Sequence, residues 1–218
     1  MTETGLGPAR RRGLSTEVAD AIREAIFDGR YAPGAALREV ELSEALRVSR
    51  GPVREALQKL EREGLVHTEW HRGTTVTALS LQDVAELDSL RAALESLAVR
   101  RVVDQASEED LASIEKTAAA MDRAETPHEM VRCDIAFHDA VYAAANHSRL
   151  ASAWEAIRSQ VHLFLITRVN VSTDGYLEQI RQEHRDLVAA LRLGNVDGAL
   201  RLFAEHRRHA FDVLTSGS

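Results

Sequence analysis

The sequence predicts a mainly α-helical protein in which a small N-terminal unit of three helices and a β-hairpin precedes an all-α antiparallel helical bundle. Three observations predict it. Only four prolines and twelve glycines interrupt the 218 residues, and Ala, Leu, Val, Arg and Glu are abundant while aromatic residues make up 5%, a composition that favours helices. β-like runs are confined to residues 65–78. Beyond Leu79 the apolar residues repeat at long helical periods with no strand signal. The length suits a small domain followed by a mid-sized one, with boundaries at 1–79 and 80–218.

The first helix is expected over 15–28, where Val18, Ile22, Ala25 and Ile26 form an apolar stripe, and Gly29 stops it. Pro33 and Gly34 make a turn. A short helix follows over 39–46, and Arg47-Val48-Ser49 has room only for a tight turn. Ser49 is placed to cap a third helix over 50–63, in which Pro52 falls in the tolerant first turn and Gly64 marks the end. Runs at 65–69 and 74–78 flank Trp70-His71-Arg72-Gly73 as a hairpin with a polar tip. Three helices, a tight turn between the second and third, and a closing hairpin make an N-terminal winged helix-turn-helix. Bundle helices are expected at 81–105, 107–124, 127–145, 148–170, 175–193 and 195–214, joined at Ser107, Thr126-Pro127, Asn146, Asp174-Gly175 and Gly194-Asn195. No fixed-period repeat is present, which argues against a solenoid.

Charge and cysteine content narrow the function. The net charge is −7, unevenly placed: residues 1–79 hold 12 Lys+Arg against 12 Asp+Glu, leaving 15 against 22 for residues 80–218. Any nucleic-acid binding therefore rests on arginines placed locally rather than on a basic domain. The N-terminal stretch lacks the apolar core of a signal peptide, and no apolar run approaches the ~20 residues needed to span a bilayer, so a cytoplasmic protein without a membrane partner is expected. The single cysteine, Cys133, excludes an intrachain disulfide framework and reads as a small helix-core residue.

On the third helix Val53, Ala56, Leu57 and Leu60 form the buried stripe, which leaves Arg50, Arg54 and Gln58 on another face. Arginine pairs bidentately with guanine O6 and N7, Ser49 at the helix start can donate to a phosphate, and Gly51 allows close backbone approach. Arg38 adds a phosphate contact, and His71, Arg72 and Gly73 at the hairpin tip suit an adjacent minor groove. The bland alternative is that the helix arginines only pair with Glu55 or Glu61 at the surface.

Polar residues that interrupt apolar stripes mark a second constellation. The stripe Met130, Val131, Asp134, His138, Val141, Tyr142 holds an acid and a histidine one turn apart. His184 lies in the stripe Leu177, Ile180, Leu187, Leu191, and His206 in Val196, Ala199, Phe203, Ala210. Each histidine alone reads as a satisfied core residue, but three imidazoles and one carboxylate converging from three helices form a first shell for a divalent transition metal ion: zinc foremost, nickel or manganese also compatible. Arg91, at the edge of the stripe Val84, Leu87, Leu94, Ala98, suits a carboxylate ligand or a salt bridge to Glu95. His162, His209 and Asn146 carry surface, interface and capping roles by default.

Over residues 18–78 the chain resembles the DNA-binding domain of GntR-family regulators, carried by "YAPGAALRE", "LSEALRVSRGPVREALQKLEREGLV" and "HRGTTV" in order. The resemblance implies recognition-helix contacts at Ser49, Arg50, Gly51 and Arg54 and wing contacts at His71, Arg72 and Gly73. Gly51 departs from the family pattern, in which a polar residue is common. From residue 81 to about 214 the chain resembles the ligand-binding FCD domain of the FadR-type branch, carried by "DIAFHDAVYAAANHSRL", "EHRDLVAALRLGN" and "AEHRRHA". That similarity implies metal ligation by Asp134, His138, His184 and His206, a small carboxylate effector, and a homodimer. The function expected is a transcriptional regulator, a repressor, that binds double-stranded operator DNA under control of a small acid. A metal-dependent hydrolase and a regulator with a purely structural metal are the alternatives.

Overall fold

A computed structural model describes residues 13–169 and 175–215; the expected junction residue Asp174 and the side chain of Ala210 lie outside the described residues. The chain divides into two compact units, residues 1–77 and 78–218.

The first unit is built on α1 (Leu14–Phe27), α2 (Glu39–Leu46) and α3 (Arg50–Arg62). Val18, Ile22 and Ile26 of α1 pack with Val53, Ala56, Leu57 and Leu60 of α3, and Leu42 of α2 closes the core. Arg47 in the left-handed region, φ 54°, lets the chain reverse between α2 and α3. Ser49 occupies the N-cap of α3 with extended backbone, but its side chain makes no capping hydrogen bond, contrary to expectation. The far ends of α1 and α3 are tied by Arg23, whose Nε and Nη2 donate to the Glu63 carboxylate at 2.9 and 2.8 Å.

The hairpin is shorter than expected and starts one residue later: β1 (Val66–Glu69) pairs antiparallel with β2 (Gly73–Val76) in the register Val66↔Val76 to Glu69↔Gly73. The segment before α2 also joins it, through a bridge between Ala36 and Thr75 and a Leu37 N–H to Thr74 oxygen bond of 2.8 Å. This extra edge was illegible in the sequence because Pro33 and Gly34 read only as a turn. The Glu61 carboxylate accepts from the Thr68 amide at 2.9 Å, which fastens the hairpin to the end of α3.

The second unit contains α4 (Leu81–Gln105), α5 (Glu108–Ala120), α6 (Pro127–Ala144), α7 (Ser148–Val169), α8 (Tyr176–Leu193) and α9 (Val196–Thr215). The expected 107–124 helix is α only to Ala120 and ends in a 3₁₀ turn, Met121–Arg123. Three helices begin with reciprocal capping boxes, Ser80 with Asp83, Ser107 with Asp110 and Thr126 with Glu129; each satisfies orphan N–H groups at a helix start. Helix ends are met by arginines from elsewhere: Arg101 of α4 donates to the Ala145 carbonyl at 2.7 Å, and Arg181 of α8 to those of Met121 and Ala124 at 3.1 and 2.8 Å. Val99, Ile114, Met130, Ile135, Phe137, Val141, Leu163, Leu187 and Phe203 fill the core. Helices α6, α8 and α9 thereby turn their interrupted stripes inward. Cys133 is only half-buried, not a core residue. No described helix is long and apolar enough to cross a membrane.

Candidate functional site

In the first unit Arg38, Ser49, Arg50, Gly51 and Arg54 lie exposed, as do His71, Arg72 and Gly73 at the hairpin tip. Arg54 is held, though not by Glu55 or Glu61: its Nε and Nη2 donate to Glu39 at the start of α2, at 3.0 and 2.9 Å. Arg38 pairs with Glu41 at 2.8 Å and Arg72 with Glu69 at 3.1 Å. Hydrogen bonding to Arg54 holds the Glu39 carboxyl below its ordinary range, against a small opposing effect of burial. Such exposed pairs contribute little to stability, so their arginines exchange partners easily. A Cβ added at Gly51 would meet no atom within 4 Å.

In the second unit Asp134, His138, His184 and His206 come together in the core. One ligand atom from each lies within 4.8 Å of every other, and all four residues are buried. Asp134 and His138 share a face of α6, while α8 brings His184 to 3.1 Å and α9 brings His206 to 3.4 Å from Asp134 Oδ1.

Each imidazole is oriented by its other contacts. His184 Nδ1 lies 2.8 Å from the Ile180 carbonyl and His206 Nδ1 2.8 Å from Glu183 Oε2, partners that accept and so require the proton on Nδ1. Arg91 Nη2 approaches His138 Nε2 at 2.6 Å; a guanidinium can only donate, so that Nε2 carries a lone pair. His184 thus directs its Nε2 lone pair into the small space beside Asp134, with His206 Nε2 directed there as well, while Arg91 engages that of His138. Asp134 Oδ2 and His184 Nε2 have no hydrogen-bond partner. A bare nitrogen lone pair 3.1 Å from a carboxylate oxygen is repulsive unless a proton or cation lies between them.

Burial alone would push the Asp134 carboxyl up, but the His184 and His206 side chains against it and the nearby His138 hold it well below its usual range. Burial and the Arg91 charge keep His138 neutral, its pKa far below that of a free imidazole. For His206 burial is outweighed by Asp134 and Glu183, which raise its pKa to about 9. Phe137 closes one side, its ring 4.7 Å from that of His184 and edge-on to it, and itself stacks on Phe203. This apolar wall keeps water away and strengthens the electrostatics inside.

Arg91 is buried, and its Nε lies 3.6 Å from Glu95 Oε2. Of the two readings of this arginine, the structure shows the ion pair with Glu95, beside the histidines. Glu95 also accepts from Arg207 Nη1 at 2.5 Å and faces His138 Nδ1 at 3.7 Å. Next to Arg91 a cavity of about 10 Å³, lined among others by Val84, Leu87, Phe164 and Arg207, has room for about one water molecule.

Glu95, Glu183 and Arg207 are site residues that the stripes did not single out as such. Glu95 was findable, one turn beyond Arg91 on the same face. Glu183 and Arg207 were not, because their roles depend on how α8 and α9 dock. His162 is buried, against its surface reading, and burial lowers its pKa to about 3. His209 is half exposed and pairs with Glu183 at 2.9 Å. Asn146 adopts φ 46° just past α6, which agrees with a capping role.

Comparison with known proteins gives a consistent context. Residues 14–76 match the bacterial regulatory proteins, gntR family, and residues 86–209 match the FCD domain. The HTH-type transcriptional regulator YdhC of Bacillus subtilis is 31% identical over 197 residues, 88% of this chain and 87% of that protein. The "Probable D-xylose utilization operon transcriptional repressor" of Paenarthrobacter nicotinovorans is 32% identical, covering 90% of this chain and 86% of the relative. A crystal structure of a GntR regulator from Rhodococcus sp. RHA1 superposes with a TM-score of 0.80 at 27% identity, covering 92% of this chain and 97% of that one. The winged helix-turn-helix, the helical unit and these relatives agree: the chain belongs to the GntR family, carries an FCD domain, and is a DNA-binding transcriptional regulator, not an enzyme.

Proposed function

We propose that the protein is a cytoplasmic homodimeric repressor whose operator binding is modulated by a small organic acid bound beside a divalent transition metal ion in the helical unit. The observation that carries this reading is the buried set Asp134, His138, His184 and His206, with ligand atoms within 4.8 Å of one another. The donor set fits an ion: a carboxylate oxygen and imidazole nitrogens, two of their atoms otherwise orphaned, are the ligands that zinc prefers, with nickel or manganese compatible. Glu183 and the Ile180 carbonyl would orient His206 and His184, as outer partners of metal-bound imidazoles do. When bound, the ion supplies a fixed positive charge that attracts a carboxylate. Arg91 would receive the acid's second oxygen or second carboxylate. The cavity beside it has room for about one water molecule, so an acid would need side chains here, Arg91 among them, to move.

On the DNA side, Arg50 and Arg54 would read guanines in the major groove while Ser49, the backbone at Gly51, and Arg38 meet phosphates. His71, Arg72 and Gly73 would meet the minor groove. Two relatives support repression, the xylose-operon protein and the gluconate operon transcriptional repressor of Bacillus subtilis, 27% identical.

The test is a thermal-shift screen of mono- and dicarboxylates, hydroxy acids and sugar acids with and without added zinc. An effector should raise Tm only in the metal-loaded protein and change mobility-shift binding of the duplex selected by the protein from a randomised pool. Asp134→Ala and Arg91→Ala should each abolish that response; if neither does, the acid binds elsewhere. Chelation that lowers Tm without altering the acid response would instead mark the metal as structural.

A further inference from the structure

The hairpin tip carries a side chain that phosphate and guanine recognition leave unused. Trp70 is 87% exposed, more than any other large apolar residue among those described, whereas Trp154 is 3% exposed and stacks on Tyr142. Its place is structurally defined. Register pairs Glu69 with Gly73, so Trp70, His71 and Arg72 form the loop; His71 and Gly73 take φ of 69° and 81°, and the Arg72 amide bonds to the Glu69 carbonyl at 3.1 Å. The His71 ring lies against the indole at 75°, with centroids 5.2 Å apart. Two connections set the hairpin relative to α3 and α2, the Thr68 amide to Glu61 and the bridge from Ala36 to Thr75. The hairpin that carries the indole is therefore fastened to the end of the recognition helix.

We infer that Trp70 is a minor-groove wedge that makes the wing sensitive to A·T base pairs. An indole is flat, apolar and carries a single donor, the Nε1–H, which matches the acceptors adenine N3 and thymine O2 on the groove floor. The guanine amino group would both obstruct the ring and face a donor with a donor. Apolar side chains inserted at this depth loosen base stacking, so flexible steps next to the half-site are favoured as well. Arg72 supplies charge to the same groove, whereas Trp70 supplies contact area and base discrimination. Their dependences on salt should therefore differ.

Full-length Trp154→Phe protein retains Trp70 as its only tryptophan. Its fluorescence is read free and bound to the duplex selected from a randomised pool, with binding verified by mobility shift. The inference expects Trp70 emission to become markedly less accessible to acrylamide on binding. Trp70→Ala should weaken the complex about tenfold, the order found for aromatic contacts with bases, while the slope of affinity against salt stays unchanged; Arg72→Ala should lower that slope. Exchanging A·T for G·C pairs flanking the half-site should weaken wild-type binding about tenfold and leave Trp70→Ala indifferent. An indole equally quenched in the free and DNA-bound protein overturns the inference, as does protection already complete without DNA, which would mean a protein contact. If Trp154→Phe does not fold, the Trp70→Ala affinity, salt and base-exchange measurements decide the matter.

Discussion

The head unit and the bundle hold their charged groups in opposite ways. Arg54 has a side chain 63% exposed and is clasped by Glu39, while the His184 and His138 side chains are wholly buried around a carboxylate only 7% exposed. An exposed pair gives up its partner readily, since water and salt screen both partners and replace what is lost. A buried group has no such substitute, and every broken contact leaves a desolvated charge or lone pair. Charged groups are therefore exchangeable at the surface of one unit and fixed in the core of the other. On the proposed reading a phosphate or guanine would take Arg54 from Glu39, whereas the buried cluster would take a metal ion.

This contrast is open to direct attack, and the largest effect is expected in the bundle. Asp134→Ala removes the buried carboxylate that lies 3.4 Å from His206 and should destabilise the metal-free protein by about 3 kcal/mol, the order seen when one member of a buried pair is removed. Urea unfolding measures it; a loss under about 0.5 kcal/mol, typical of surface positions, would erase the distinction between the units. In the head, Arg50→Ala combined with Arg54→Ala should weaken operator binding about a hundredfold in a mobility-shift titration and leave the unfolding midpoint unchanged. Undiminished affinity would remove α3 from the groove.

A smaller effect sharpens the comparison from inside the bundle. Arg91 Nη2 holds the His138 nitrogen that an ion would use, at 2.6 Å. Arg91→Ala should therefore raise zinc affinity about tenfold, a typical coupling between competing ligands, while the response to carboxylates disappears; chelator-competition titration reads the first. Weaker zinc binding in this variant would mean that Arg91 supports the centre instead of competing for it. Least of all should Gly51→Ser change. The site has open space, so stability should rise by about 0.5 kcal/mol through helix propensity, with DNA affinity increased severalfold if the hydroxyl reaches a phosphate.

Much of the architecture followed from the sequence alone, because helix periodicity, stop glycines and capping residues act over a few neighbouring positions. The stripes of α3, α6 and α8 turn inward as their spacing required, as do Ala199, Phe203 and His206 of α9, and α4 runs over 81–105 as expected. The four residues of the buried cluster were also legible, since a histidine or aspartate inside an apolar stripe has to point inward whatever the stripe packs against. Partners were not. Among 34 acidic residues, nothing local selects Glu39 for Arg54, Glu183 for His206 or Glu63 for Arg23. These pairings are 15, 23 and 40 residues apart and exist only once helices dock. The third edge of the wing and the burial of His162 have the same origin: backbone pairing across the chain and the closing of one helix on another, which no run of neighbouring residues records. Sequence by itself thus determined which faces turn inward and which chemistry they carry. Only the tertiary structure decided which groups meet, because that depends on the rigid-body docking of elements already formed.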